Sequence, residues 1–259
     1  MAKMSKELET AISAAKTGAA RALTYFNKNL KVKYKKDQTP VTIADKSTEE
    51  AMVNYIKSRF PKAKFLCEES GGSITNDDLW IIDPIDGTRS FIRGVPAWCV
   101  IVSLSRKKEI TQCAIYYPFT KNVYYAEKGE GAYVNGKLIR VSEVADISRA
   151  YLGYGSIKHF INKRRLINIT SAVGSARSWE VTYSSCLVAE GKMDISVDEY
   201  GRAWDIAPFK LLIEEAGGKI TRFNGGKWTL EGRGAVITNG ILHEKVLRIL
   251  NNTRIDESA

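Results

Sequence analysis

Trp80-Ile81-Ile82-Asp83-Pro84-Ile85-Asp86-Gly87-Thr88 is the stretch from which the rest of this chain can be read. A hydrophobic run ends in two carboxylates, with a proline between them and Gly-Thr behind the second. Trp80, Ile81 and Ile82 read as the end of a buried strand. Pro84 has no N–H to give an inner ladder, so the strand is predicted to stop there and the chain to turn. The turn then lies at the C-terminal edge of the strand, where α/β folds place their sites. Two acids so close repel each other, and such a pair is stable mainly when a cation lies between them.

Two further acids stand at element ends. Glu68 follows the predicted strand Lys64–Cys67, and Asp205 opens a predicted helix, Asp205–Ala216. Oxygen ligands suit a hard cation such as Mg²⁺. Neither His159 nor His243 lies near an acidic motif, which disfavours zinc. A carboxylate cluster without a histidine base points to metal ions as the activators of water. Taken singly, Asp86 and Asp205 read equally well as helix N-caps. Gly87 permits close backbone approach, and a helix opening at Thr88 would aim free N–H groups at an anion, while the Thr88 hydroxyl can orient a water. An ordinary turn before a helix is the alternative.

Outward from this centre the chain alternates. Apolar residues at helical spacing predict helices over Ser5–Lys28 and Asp45–Arg59, the second stopped by Phe60-Pro61. Cys99–Leu104, Gln112–Tyr117 and Val123–Ala126 read as strands, followed by a hairpin with Asn135-Gly136 at its turn, which makes the middle of the chain an antiparallel meander. The pattern changes near Asp146–Ala150. Beyond it come a strand (Tyr151–Tyr154), helices at His159–Thr170 and Ser175–Gly191, and a strand at Asp194–Val197. After the Asp205 helix, which ends at Gly217-Gly218, come strands at Lys219–Phe223 and Ala235–Thr238 and a helix at Leu242–Leu250. The tail after Asn251 reads as frayed. The division falls into an α+β half, residues 1–148, carrying the metal and phosphate site, and an α/β half, residues 149–259, carrying specificity residues, joined as one catalytic unit.

Composition sets outer bounds. With 259 residues and an ordinary apolar fraction, a full core forms without staples. No apolar run is long enough to cross a bilayer, and the first residues lack the apolar core of a signal peptide. Cys67, Cys99, Cys113 and Cys186 are scattered among apolar residues, as expected of buried free thiols in a reducing cytoplasm. The formal charge of +10, with clusters at Lys31–Lys36, Arg106–Lys108 and Lys163–Arg165, reads as solvated surface that also steers anionic substrates. A basic RNA-binding protein is the competing reading. Against it, aromatic residues do not interleave with the basic clusters, so nucleic acid is not the expected partner.

Trp80–Thr88 resembles the first signature of the inositol monophosphatase family, W-[IV]-[IV]-D-P-[IL]-D-G-T. Trp204-Asp205-Ile206-Ala207 with Glu215-Ala216-Gly217-Gly218 resembles the second. Leu66–Ser70 looks like the family's G-E-E-S turn, with Cys67 in place of glycine, and Thr39–Asp45 like its P-V-T-x-A-D segment. The resemblance spans nearly the whole chain in order. It implies an α/β fold of the inositol-monophosphatase/fructose-bisphosphatase type, an alternating α-β-α-β-α sandwich. It also implies a dimeric, lithium-sensitive phosphomonoesterase using two to three Mg²⁺ ions. Carried over, Glu68, Asp83 and the carbonyl of Ile85 would hold one ion, and Asp83, Asp86 and Asp205 a second. Glu68 would touch a weaker third and, with Thr88, position the attacking water. Asp45 would support Thr88, and the amides of Gly87 and Thr88 would bind phosphate.

Specificity markers point two ways. Phe91–Trp98 looks like the segment of the family's histidinol-phosphate phosphatases. Gly174-Ser175-Ala176 resembles the inositol monophosphatase segment that meets substrate hydroxyls, where the histidinol-phosphate branch carries an acid near Ser175. Asp198 occupies the place of a substrate-contacting carboxylate and suits a hydroxyl or an ammonium group equally. Arg202 could favour a second anionic group or be plain surface. Inositol monophosphate is the leading substrate, followed by histidinol phosphate and fructose 1,6-bisphosphate.

Overall fold

Local signals set where the elements begin. In the computed structural model, which describes residues 4–252, Ser5 caps the first helix by accepting from Leu8 N at 3.1 Å. The predicted frayed tail lies outside the described residues from 253 on. The first stretch of chain forms α1 (Lys6–Leu23), β1 (Lys33–Tyr34), β2 (Pro40–Val41), α2 (Ile43–Arg59), β3 (Lys64–Cys67), β4 (Gly71–Gly72), β5 (Leu79–Asp86) and α3 (Thr88–Ile92). The meander follows as β6 (Cys99–Arg106), β7 (Glu109–Tyr117), β8 (Asn122–Glu127), β9 (Gly131–Val134) and β10 (Lys137–Leu138). The remainder forms β11 (Tyr151–Tyr154), α4 (Lys163–Ala172), β12 (Ser175–Ser178), α5 (Val181–Ala189), β13 (Ile195–Asp198), α6 (Ala203–Glu215), β14 (Lys219–Thr221), β15 (Ala235–Thr238) and α7 (His243–Asn251).

The chain groups into two compact units, and the grouping differs from the division expected near residue 148. The first unit runs to Leu138 and also takes in Ala203–Glu215; the second holds Ile139–Arg202 and the residues from Ala216 on. Helix α6 is the reason. It packs along β5 to β9, and at its end Glu215 accepts from the N–H groups of Gly129 (2.7 Å) and Gly131 (2.8 Å) in the β8–β9 turn. No sequence pattern near residue 203 signals such a return.

The first unit is a mixed eight-stranded sheet, β10-β9-β8-β7-β6-β5-β3-β4, antiparallel except where β3 runs parallel to β5. One face buries Trp80, Ile82, Val100, Val102, Leu104 and Ala114 against α1 and α2. The alanine stripe of α1 (Ala11, Ala15, Ala19, Ala22) lets that helix lie close to α2, where Met52 and Ile56 fill the space. Side chains alternate along a strand, so Ile101, Ser103 and Cys113 point to the opposite face, where α6 packs.

The second unit has a five-stranded sheet, β12-β11-β13-β15-β14, parallel at β12, β11 and β13 and antiparallel from β13 to β14. Leu152, Ile195, Val197 and Val236 pack with residues of α4 and α7. On the other face, α5 lies so close that a Cβ on Gly153 would sit 2.3 Å from Ser184, and Ser185 and Ser196 hydroxyls meet at 3.0 Å. The helix expected over Ser175–Gly191 is shorter. Ser175–Ser178 instead pairs in parallel with Tyr151–Tyr154 as an edge strand, so tertiary pairing overrides local propensity.

His243 is fully buried in this unit. Thr221 donates its proton to the Arg222 carbonyl (2.9 Å), so its oxygen accepts from Nε2–H of His243 (2.9 Å), and the Thr238 hydroxyl (2.9 Å) donates to Nδ1. This neutral tautomer matches burial, which pushes the imidazole down to about 4.

Candidate metal and phosphate site

Strand β5 continues through Pro84 to Asp86 rather than stopping at Ile82. Ile82 and Ile85 both join the core under α1 and α2, although a regular strand would send residues an odd number apart to opposite faces. The register explains it. Asp83 pairs with Ile101 and Asp86 with Cys99, so Pro84 and Ile85 together oppose the single residue Val100. This is a β-bulge, and Pro84 sits where the ladder skips, so its missing N–H is not needed. The bulge also inverts the phase of the charged residues. Asp83 and Asp86 come to share the face on which α6 packs.

Asp205 stands in the first turn of α6. Oxygens of Asp83, Asp86 and Asp205 lie within 4.8 Å of one another. Asp83 is 1% exposed and its Oδ1 accepts from Ile85 N at 3.1 Å. Burial pushes its carboxyl well above the usual range, and the charges of Glu68, Asp86 and Asp205 push it further. Glu68 is held next to Asp83 by its own N–H, which donates to the Ile82 carbonyl at 3.1 Å and extends the β3–β5 pairing. Neither acid is a plain helix cap. The N-cap of α3 is Gly87, and Asp205 lies inside its helix. Three carboxylates meeting at the buried Asp83, with Glu68 beside it and no histidine in the cluster, form a donor set that fits hard divalent cations.

Gly87 adopts φ 88°, and a Cβ there would meet the Ala97 carbonyl oxygen at 2.9 Å. The five-residue helix α3 opens behind it. The Thr88 hydroxyl lies 3.0 Å from the Ile85 carbonyl and 3.3 Å from Asp45 Oδ1. Both are acceptors, so its single proton is committed inward and its oxygen can accept a hydrogen bond from a water. Asp45 is fully buried and forms a capping box with Thr42, whose N–H (2.7 Å) and hydroxyl (2.8 Å) donate to its Oδ2. Burial raises the Asp45 carboxyl, against the lowering by Thr42.

Two residues beside the site were not singled out by the sequence reading. Lys35, counted with a solvated basic cluster, reaches both Glu68 (2.9 Å) and Glu69 (2.7 Å). The Cys99 thiol donates to Asp86 Oδ2 at 3.7 Å. Lysine spacing carries no mark of the first; the second follows from Cys99 being the ladder partner of Asp86.

The predicted specificity residues all fall in the second unit. Gly174 is exposed and Ser175 and Ala176 are half-buried, at the start of edge strand β12. Asp198 ends β13, buried, accepting from Tyr200 N at 2.9 Å, with His159 Nδ1 at 3.6 Å and the His159 ring stacked on Tyr200. Arg202 is half-buried in the connection that leads to α6.

A layered α/β fold that gathers carboxylates at a bulged strand, beside a glycine-opened turn, defines a metal-dependent phosphoric monoester hydrolase. The comparisons place it more closely. A family model described as the inositol monophosphatase family matches residues 3–254, and the chain belongs to that family. It is 32% identical to a histidinol-phosphatase of Chlorobaculum parvum, over 98% of this chain and 100% of that one. It is 31% identical to inositol monophosphatase 3 of Solanum lycopersicum, over 94% and 96%. Among solved structures, a Thermotoga maritima IMPase superposes with a TM-score of 0.89 at 27% identity, covering 95% of this chain and 97% of that one. No helix among the described residues is long and apolar enough to cross a membrane.

Proposed function

We propose that this phosphatase uses Mg²⁺, two to three ions, to hydrolyse inositol monophosphate. The observation that carries the metal reading is Asp83, almost fully buried with its oxygens facing those of Asp86 and Asp205 and with Glu68 alongside. Glu68, Asp83 and the Ile85 carbonyl would hold one ion, Asp83, Asp86 and Asp205 a second, and Glu68 a third, weaker one. When bound, the ions supply Lewis-acid activation of water and neutralise charge on the phosphoryl and leaving oxygens.

The chain's own residues do the rest. Glu68 and Thr88 position the attacking water, with Asp45 and the Ile85 carbonyl drawing the Thr88 proton inward so that the threonine oxygen faces the water. The amides of Gly87 and Thr88 bind the phosphate. The Gly174-Ser175-Ala176 segment and Asp198 meet substrate hydroxyls, and Arg202 takes any second anionic group. Four buried free thiols fit a reducing compartment, and we place the enzyme in the cytoplasm as a homodimer.

Histidinol phosphate is the second reading, favoured by the full-length similarity to a histidinol-phosphatase. Asp198 would then face an ammonium group. Fructose 1,6-bisphosphate stands third. Phosphate release from these three esters and from adenosine bisphosphates, with Mg²⁺ and with EDTA, tests the reading. Turnover that survives EDTA, or that favours an ester outside this set, overturns it.

A further inference from the structure

We propose that His159 is a specificity residue: its imidazole holds Nδ1–H against Asp198 and presents Nε2 as an acceptor for a hydroxyl or ammonium donor on the leaving group; this rests on the reading of Asp198 as a carboxylate that meets the substrate. The two ring nitrogens have different surroundings. Nδ1 is buried without a hydrogen-bond partner, whereas the side chain as a whole is 37% exposed and Nε2 is neither buried nor partnered among the described residues. Gly155 lies against the sealed edge, where a Cβ would stand 3.6 Å from Nδ1. Asp198 Oδ1 also lies 3.6 Å from Nδ1.

That separation is longer than a hydrogen bond, and it still decides the tautomer. A bare Nδ1 would aim a lone pair at a carboxylate oxygen, while a protonated one points a positive hydrogen at it. The proton of the neutral ring therefore belongs on Nδ1, which leaves Nε2 as an acceptor. Asp198 is divided in the same way. Its Oδ1 accepts from Tyr200 N at 2.9 Å and faces the imidazole, and its Oδ2 has no hydrogen-bond partner among the described residues. His243 shows the contrast, since both of its nitrogens are spent on threonine hydroxyls.

The surroundings brace this pair. The His159 ring stacks on Tyr200, with centroids 5.0 Å apart and 27° between the planes, and the Arg233 guanidinium stands 5.9 Å from the centre of the same tyrosine ring. Glu199, buried next to Asp198, accepts from Ile161 N (2.6 Å) and Asn162 N (3.3 Å) and pairs with Arg165. The residue after the carboxylate thus ties down the segment just past the imidazole. An acceptor held in place this way discriminates against an ester with no donor to give, because its hydrogen bond is then left unmade.

Two measurements test this. The chain has only two histidines, so long-range ¹H–¹⁵N spectra of the wild type and of either His159 variant below, at pH 8, assign the ring by difference. Nδ1 should carry the proton and Nε2 none; a protonated Nε2 would overturn the proposal. In kinetics with Mg²⁺, inositol monophosphate offers hydroxyl donors and histidinol phosphate an ammonium, while p-nitrophenyl phosphate has no donor on its leaving group. Asn keeps an N–H near the place of Nδ1 and has nothing at that of Nε2. His159→Asn should therefore lower kcat/KM for a donor-bearing ester about tenfold relative to p-nitrophenyl phosphate, chiefly through KM. His159→Gln, whose amide oxygen reaches the place of Nε2, should recover most of that ratio. The ester that loses more names the donor as hydroxyl or ammonium. An equal loss on donor-bearing and donor-free esters, no loss at all, or a Gln variant no better than Asn would overturn the proposal while leaving the phosphatase reading standing. A wild type that hydrolyses neither donor-bearing ester would remove both.

Discussion

Replacing Asp83 by Asn should make the protein more stable without metal and indifferent to metal. Oxygens of Asp83, Asp86 and Asp205 lie within 4.8 Å of one another, a distance at which two unit charges repel by roughly 3.5 kcal/mol at an effective dielectric of 20. Asp83 meets two such neighbours, with Glu68 beside it as a further negative charge. Proton uptake by the cluster relieves part of this, leaving about 2–4 kcal/mol to be gained by removing the charge. Asn keeps the shape and still accepts from Ile85 N. For a chain of this size each kcal/mol moves the melting temperature by about 2–4 °C, so the variant in EDTA should melt roughly 4–16 °C higher. With Mg²⁺ the comparison changes. A saturating ion stabilises the wild type by about 3 kcal/mol at a hundredfold excess over Kd, while the variant should gain nothing and lose turnover. Thermal unfolding of both proteins with EDTA and across a Mg²⁺ series measures all of this. An Asp83→Asn protein that melts below the wild type in EDTA, or that keeps the Mg²⁺-dependent rise, refutes the reasoning. The sign with pH is fixed as well. A carboxyl raised in the folded state costs stability above its unfolded pKa, so the advantage of Asn should fade as the pH falls toward 4.

Other outcomes follow from the same geometry. Thr88→Ala should lower kcat by about 10²–10⁴ while calorimetric metal affinity stays unchanged, because the hydroxyl acts on the water. Gly87→Ala, forced to φ 88° and against the Ala97 carbonyl, should destabilise the fold by about 1–3 kcal/mol in urea unfolding. His243 is neutral when buried, with its pKa lowered to about 4 from 6.5, so the unfolded chain takes up a proton that the folded one does not. Stability should therefore fall between pH 6.5 and 4, by about 2 kcal/mol at pH 5, and His243→Gln should remove that part of the slope. Asp198→Asn separates the substrate readings: kcat/KM for histidinol phosphate should drop about 10- to 100-fold if the carboxylate meets an ammonium, with a smaller loss for inositol monophosphate.

Much of this was legible in the residues. Strand β3, strands β11 and β15, the meander and the stop of α2 at Phe60-Pro61 all announce themselves, because each depends on local pattern or on proline. The convergence of Glu68, Asp83, Asp86 and Asp205 could be expected from acids placed at element ends. What was hidden depends on partners distant in sequence. Pro84 reads as a stop, and only the pairing with β6 turns it into a bulge. Ser175–Ser178 has little preference of its own and becomes a strand because β11 lies beside it. The docking of α6 on the first sheet is fixed by Glu215 on the β8–β9 turn, which no spacing in the sequence foretells. Lys35 looks like any surface lysine until the turn carrying Glu68 and Glu69 is folded beneath it.

The unpaired residue in β5 goes with the spacing of three between Asp83 and Asp86: the ladder absorbs it, and both acids keep one face. Delete Pro84, and the pairs with Ile101 and Cys99 can both survive with a single residue between them, so the isoleucine stays in the oily interior and the second aspartate stays on the far side. What disappears is the bend that a bulge puts into its strand, and with it the aim of the carboxylates. A single-codon deletion here should therefore spare the interior and misdirect the acids.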